Sequence, residues 1–404
     1  MENNENKRYS NTSWIVFLFS ISIVLISLIP VIFPALFSEI FFKSELDSYG
    51  ISTPYNMEPF ELGALAIPLL VTNILFFPIF FFLKNKDFQR KIKLLTEFKI
   101  SRNIAIIVIC IMISVYIVVS ITELDIGDEI YGDWERLKHK LLNMDSIFPN
   151  EVMAFEPHLK ITLLKISQII FDNFFVTPLL SSIGLLIVTY LFTREITNSR
   201  LAGLVALSIV LPSNLFLTFD TSAAFASFWI LFYLLSLYFV IKVWPLSPIF
   251  HVFSILSKLV TIAYTPMSIF FILNSEISKR KKIITLLGFI LMIIISLILF
   301  GAHEKNLIDW NSDEFWLGFT VLAFQMRLDG IIVLFLLPLT VLLFIVSKNN
   351  RYANSILVLI TGTLLISPLI SGFTDFTNQP YRLLSFVVFF SVGVGLLFTN
   401  RNVR

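Results

Sequence analysis

The chain has 404 residues, of which 56% are hydrophobic, 43 are Phe and only 14% are charged. A soluble domain cannot hide that much apolar surface, so the composition excludes one and points to a polytopic membrane protein. The formal net charge of +2 is small and the basic residues sit mostly in short loops, which leaves nucleic-acid binding without support.

Apolar runs of about 20 residues, the length a helix needs to cross the hydrocarbon core, recur along the whole chain. The first, from Trp14, is too long for a signal peptide and lacks a small-residue cleavage pattern, so it reads as a retained span. The expected spans are Trp14–Ala35, Leu62–Leu83, Ile104–Ile121, Phe174–Thr193, Leu201–Leu217 and Thr221–Lys242. Ile283–Gly301, Ile331–Val346, Ser355–Ser371 and Leu383–Thr399 complete the set. Both ends of the stretch from Lys242 to Lys279 are basic, so parity calls for a hairpin of two short helices turning near Lys258. The expected fold class is therefore all-α, a polytopic transmembrane helix bundle of about 10–12 spans. The chain divides into 1–103, N-terminal spans with a basic loop; 104–282, a core with an acidic loop; and 283–404, C-terminal spans. Cys110, the single cysteine, excludes an intramolecular disulfide and a Cys-based metal site.

Lys and Arg set the orientation. Lys84, Lys86, Arg90, Lys91, Lys93, Lys99 and Arg102 crowd one loop, and Lys279–Lys282 and the tail Arg401–Arg404 mark others, all expected to be cytoplasmic. Both termini then face the cytoplasm, and the long loop Thr122–Phe171 faces outward. That loop opens with Gly127-Asp128-Glu129-Ile130-Tyr131 and holds two amphipathic stretches expected to lie in the interface. In one, Trp134, Leu137, Leu141 and Met144 share a helical face; in the other, Leu159, Leu163, Ile166 and Ile170 do, with Lys160, Lys165 and Gln168 off the stripe.

Further along stand Leu191-Phe192-Thr193-Arg194-Glu195-Ile196-Thr197-Asn198-Ser199-Arg200-Leu201-Ala202-Gly203, Phe219-Asp220-Thr221, Ser257-Lys258-Leu259 and Pro380-Tyr381-Arg382. Together with Asp128, Glu129 and Tyr131, this ordered set resembles the C-type glycosyltransferase (GT-C) superfamily. The branch it is most similar to contains the protein O-mannosyltransferases and aminoarabinose transferases of cell envelopes, which use polyprenyl-phosphate sugars. The resemblance covers roughly Ile104–Ser278, with an echo near the C-terminus. Two spans precede the one leading into Asp128 where that family usually has one. The Trp-Trp-Asp-Tyr-Gly signature of oligosaccharyltransferases is absent, so transfer of a whole oligosaccharide to asparagine is not expected.

The resemblance implies a glycosyltransferase of the cytoplasmic membrane, with its active site on the outer face. It would move a sugar from a polyprenyl-phosphate carrier to an acceptor hydroxyl on protein, lipid or glycan. Such a donor has a good leaving group, so the enzyme must chiefly deprotonate the acceptor, neutralise the departing phosphate and hold the reactants in line. Asp128 and Glu129 are the implied catalytic carboxylates, Asp128 as base. Tyr131 and Asp220 would orient acceptor or sugar, and Lys258, Arg327 and Arg382 would meet the lipid phosphate. Metal dependence stays open between none and a divalent cation, Mg or Mn, at Asp128 and Asp220.

Each of these residues also has a plain structural reading. Asp128 and Glu129 suit the start of a helix near Ile130, and Asp220 the start of one at Thr221. Lys258 suits a turn, Arg327 a pair with Asp329, and Arg382 an interfacial marker. His139, His158, His251 and His303 lack metal-ligand spacing and read as scattered interfacial residues. A transporter or a non-catalytic scaffold is the alternative function. An envelope-polymer polymerase or ligase fits less well, because the late loops Ala302–Trp316 and Gly372–Arg382 are small.

Overall fold

A computed structural model describes residues 9–41, 58–82, 98–125, 129, 132–144, 158–300, 310–373 and 380–399. Among the described residues every regular element is helical. In chain order these are α1 (Asn11–Ile32), α2 (Leu36–Phe41), α3 (Ala66–Phe82), α4 (Arg102–Ser120), α5 (Gly132–Leu142), α6 (His158–Phe171) and α7 (Val176–Thr197). There follow α8 (Arg200–Val210), α9 (Asn214–Phe219), α10 (Phe228–Lys242), α11 (Ser247–Ser257), α12 (Thr265–Asn274) and α13 (Lys279–Phe300). The last four are α14 (Ser312–Met326), α15 (Gly330–Ser347), α16 (Tyr352–Phe373) and α17 (Leu384–Leu396).

The stretches Asn11–Ile32, Arg102–Leu124, Val176–Thr197, Ser312–Ser347 and Tyr352–Phe373 are long and apolar enough to cross a membrane. Shorter apolar helices occupy Ala66–Pro78, Arg200–Val210, Phe228–Lys242, Leu259–Asn274 and Pro380–Leu396. The protein is an all-α membrane protein. Helices dominate because hydrocarbon offers no partner to a free N–H or C=O, so each apolar segment satisfies its own backbone.

The chain forms two compact units, Met1–Phe98 with Glu304–Arg404, and Lys99–His303. The first and third segments expected from the sequence thus pair into one unit, and α13 belongs with the other. In the first unit α16 is packed by α1, α14, α15 and α17. Asn354 donates to Ser13 Oγ at 2.9 Å, and Ser20 and Thr361 share a hydrogen bond at 3.3 Å. Both pairs are 341 positions apart, so α1 and α16 run parallel in register.

α14 has no counterpart among the expected spans. Its polar opening, Ser312-Asp313-Glu314, reads as loop, but Asn311 caps it, its Oδ1 accepting the N–H groups of Asp313 and Glu314 at 2.9 and 3.3 Å. The two acidic residues then complement the positive end of the helix dipole. Gly318 lets α14 touch α16 backbone to backbone: a Cβ there would stand 2.6 Å from Pro368 Cα.

In the second unit α7 packs on α8 and α10, α10 on α11, and α4 on α8. Asn198, at φ 52°, ends α7 in the left-handed conformation that Asn tolerates, and Ser199 caps α8 by accepting Ala202 N–H. Thr189, Thr193 and Thr197 line the buried side of α7, each donating to the carbonyl four residues back, at 2.7, 2.8 and 2.6 Å. The expected hairpin is present: α11 ends at Lys258, a 3-10 turn covers Leu259–Tyr264, and α12 follows.

Two expected spans differ from the structure. Leu201–Leu217 is broken at Pro212, which has no N–H to continue a helix, and Ser213 starts α9 by accepting Phe216 N–H. The helix expected from Thr221 begins only at Phe228. Asp220 is therefore the C-cap that follows α9 and caps no helix start.

The amphipathic pair is helical as expected, and Trp134, Leu137 and Leu141 of α5 are buried. On α6 the buried side is instead Ile161, Leu164 and Lys165, while Ile169, Ile170 and Phe171 are exposed. Lys165 is held inside because its ammonium donates to Leu141 O at 2.9 Å, closing the C-terminus of α5, and to Gln168 Oε1 at 3.0 Å. An apolar stripe in a membrane protein has two apolar environments to choose from, lipid and protein, so hydrophobicity alone does not pick the packed face.

Candidate functional site

The segment from Asp220 to Ser227 is a non-helical turn between α9 and α10, and three carboxylates gather on it. Asp220 has no exposed surface. Ser120, the last residue of α4, donates to its Oδ2 at 2.7 Å, and Ser182 of α7 donates to its backbone carbonyl at 2.7 Å. The hydroxyl of Tyr116 lies within electrostatic reach, but neither it nor Asp220 Oδ1 makes a hydrogen bond of good geometry. Burial pushes the Asp220 carboxyl up to about 6, opposed by the Ser120 and Tyr116 hydroxyls and reinforced by the nearby charge of Glu123.

Glu123 stands in the 3-10 turn Ile121–Asp125 that continues α4. Its Oε2 accepts the Thr221 hydroxyl at 2.6 Å. Glu129 grips the next residues: Oε2 accepts Ser222 Oγ at 2.9 Å, and Oε1 accepts the N–H groups of Ala223 and Ala224. Burial raises the Glu129 pKa, while these donors and the charge of Lys160 oppose the rise. Lys160 of α6 donates to Ala224 O, so one alanine is held through its N–H by Glu129 and through its carbonyl by a lysine.

Both oxygens of Glu129 are thus occupied in holding the turn, an arrangement suited to orientation rather than to taking a substrate proton. Asp128 and Tyr131 lie outside the described residues. Lys258 occupies the turn between α11 and the following 3-10 helix, in the same unit as the carboxylates. Arg327 and Arg382 belong to the other unit. Arg327 lies over the Phe324 ring at 4.4 Å. Arg382 sits in the 3-10 turn Pro380–Leu383 ahead of α17.

The histidines are not uniformly interfacial. His251 is buried on α11, its Nε2 3.0 Å from Thr265 Oγ1 and its ring 4.6 Å from that of Phe289. His139 is exposed beside Asn143, and His303 lies outside the described residues. No group of three His, Cys, Asp or Glu able to hold a metal occurs among the described residues.

Beside the carboxylates runs an apolar groove of about 320 Å³. Ile111, Met112, Val115, Tyr116 and Val119 of α4 form one wall. Leu211, Pro212 and Leu217, around the break between α8 and α9, form the other.

Glu123, Lys160 and the hydroxyls of Ser120 and Ser182 were not singled out by the sequence reading. Glu123 carries a signal in the sequence, as a carboxylate one helical turn past an apolar run. The serines carry none, because a buried serine in a membrane helix usually bonds its own backbone. Comparison of the chain with protein-family models, with curated proteins and with solved structures finds no match in any of the three.

Proposed function

We propose that the chain is an integral-membrane glycosyltransferase of the GT-C type, moving a sugar from a polyprenyl-phosphate carrier to an acceptor hydroxyl at the outer face of the cytoplasmic membrane. The observation that carries this reading is the meeting of carboxylates from two separate connections. Glu123 and Glu129, from the segment after α4, and Asp220, from the turn after α9, share one corner of the second unit.

In this reading the acceptor oxygen attacks the anomeric carbon, and the bond from that carbon to the phosphate oxygen breaks. Polyprenyl phosphate leaves with the electron pair. The acceptor proton passes to a carboxylate of the first long loop, for which Asp128 is the choice. Glu129 and Lys160 hold the turn so that Asp220 keeps its place, Tyr131 adds an orienting contact, and Lys258, in the same unit, is the cation offered to phosphate.

The test uses the purified full chain in liposomes with a panel of polyprenyl-phosphate hexoses and pentoses, reading release of polyprenyl phosphate. Wild type should consume at least one donor, and Asp128→Asn should lower the rate by about a hundredfold or more. Consumption of no donor would sink the reading in favour of a transporter or scaffold, and full activity in Asp128→Asn would overturn Asp128 as the base.

A further inference from the structure

The groove and its acidic end bear on the nature of the acceptor, an inference that rests on the glycosyltransferase reading. Ile111, Val115 and Val119 climb α4 at four-residue intervals, and Glu123 stands in the 3-10 turn that continues the helix just beyond them. The neighbouring row, Met112, Tyr116 and Ser120, leads to Asp220. At about 1.5 Å per residue the wall from Ile111 to Val119 is about 12 Å long, room for a stretch of one lipid chain.

Behind that wall two polar atoms, the Tyr116 hydroxyl and Asp220 Oδ1, are buried without a hydrogen-bond partner. Ahead of it, Glu123 Oε1 makes no hydrogen bond among the described residues, since only Oε2 is engaged, by Thr221. Neither Glu123 nor Asp220 belongs to an ion pair among the described residues; those present join Glu195 to Arg194 and Lys242.

An acidic end of this kind disfavours a phosphate head group, because two like charges would meet where little water screens them. A neutral head bearing hydroxyls is the complement: it brings donors to an open carboxylate oxygen and no charge to repel. The donor of the proposed reaction is a phosphate ester, so the groove does not suit its head.

We propose that this groove seats one chain of the acceptor, and that the acceptor is a lipid with an uncharged, hydroxyl-bearing head whose hydroxyl donates to Glu123. Glu123 is then an acceptor-binding residue. The acceptor proton still leaves for the base as the sugar is transferred, and Glu123 fixes the direction from which the hydroxyl approaches.

The experiment places the full chain in phosphatidylcholine nanodiscs with one of two photoreactive probes, a monoglucosyl diacylglycerol or a phosphatidylglycerol carrying the same diazirine-bearing tail, and maps labelled peptides by mass spectrometry. The glucolipid should label residues 111–119 or 211–217 at least about fivefold more than the phosphatidylglycerol. Val115→Trp and, from the opposite wall, Leu217→Trp should each abolish that label by filling the groove. Glu123→Ala should reduce it about fivefold while leaving the groove open. Equal labelling by the two probes, or labelling unchanged in Glu123→Ala, overturns the proposal. The same nanodiscs supplied with polyprenyl-phosphate sugars separate the two claims. Selective labelling without donor consumption overturns the glycosyltransferase reading alone, and donor consumption with unselective labelling overturns the lipid acceptor alone.

Discussion

Ser120 donates its hydroxyl to Asp220 Oδ2 at 2.7 Å, joining the end of α4 to a turn 100 residues later, with both side chains out of reach of water. Ser120→Ala removes one donor from a buried carboxylate and puts no water in its place. It should cost about 1.5–3 kcal/mol, the range for hydrogen bonds to charged groups. The denaturation midpoint of the purified protein in detergent checks it, and Ser120→Thr, which keeps the hydroxyl, should recover most of the loss.

The Asp220 carboxyl also predicts a pH dependence. Burial raises it from 3.8 to about 6, so the folded chain holds the proton more tightly than the unfolded chain. Its favourable contribution is fully present below the unfolded value and is lost as pH rises through the folded value, between about 4 and 6. A rise of about two units corresponds to about 3 kcal/mol. Glu129, also raised by burial, acts in the same direction. Stability of wild type minus that of Asp220→Asn, followed from pH 4 to pH 7, should fall over that window. A flat difference would show that Asp220 is not desolvated.

Glu129 anchors the Asp220–Ser227 turn through two backbone N–H groups and one hydroxyl. In Glu129→Ala the amides of Ala223 and Ala224 should exchange with deuterium about ten- to a hundredfold faster than in wild type. Amides of α7 should change little. Lys160→Met, which removes the hold on Ala224 O but leaves the bonds of Glu129 to the two amides, should give a smaller acceleration at the same positions. Protection unchanged in both variants would mean that packing alone holds the turn.

Gly318→Ala tests the contact of α14 with α16. The added methyl would stand 2.6 Å from Pro368 Cα and 3.0 Å from Ser371 Cβ, and the nearer of the two atoms is backbone. The expected loss is about 1–3 kcal/mol, read as a lower denaturation midpoint. Ser371→Gly should not rescue it, because the backbone obstacle remains.

The spanning helices were legible where an apolar run was long and unbroken, as in α1, α4, α7 and α16. The hairpin at Lys258 followed from charge parity alone. Legibility failed where polar atoms acquire partners from elsewhere. The acidic start of α14 reads as loop because its cap is a single Asn, and Lys165 reads as exposed because Leu141 O, which buries it, is 24 residues away. Within the site, the resemblance singled out Asp220 and Glu129 but not the hydrogen bonds that define them. Glu123 and Lys160 went unread for the same reason: each has meaning only through a turn about 60 to 100 residues downstream.

Thr189, Thr193 and Thr197 would count as a polar stripe in any tally of residue types. With every hydroxyl turned back onto a carbonyl of its own helix, what the stripe offers a neighbouring helix is a row of methyl groups. Only Thr197 reaches past its helix, its Oγ1 accepting the N–H of Ser199 at 3.2 Å, so at Thr189 and Thr193 the seating of α7 depends on the branched outline of the side chains. Valine shares that outline and alanine does not, which makes shape, not polarity, the information these two positions carry.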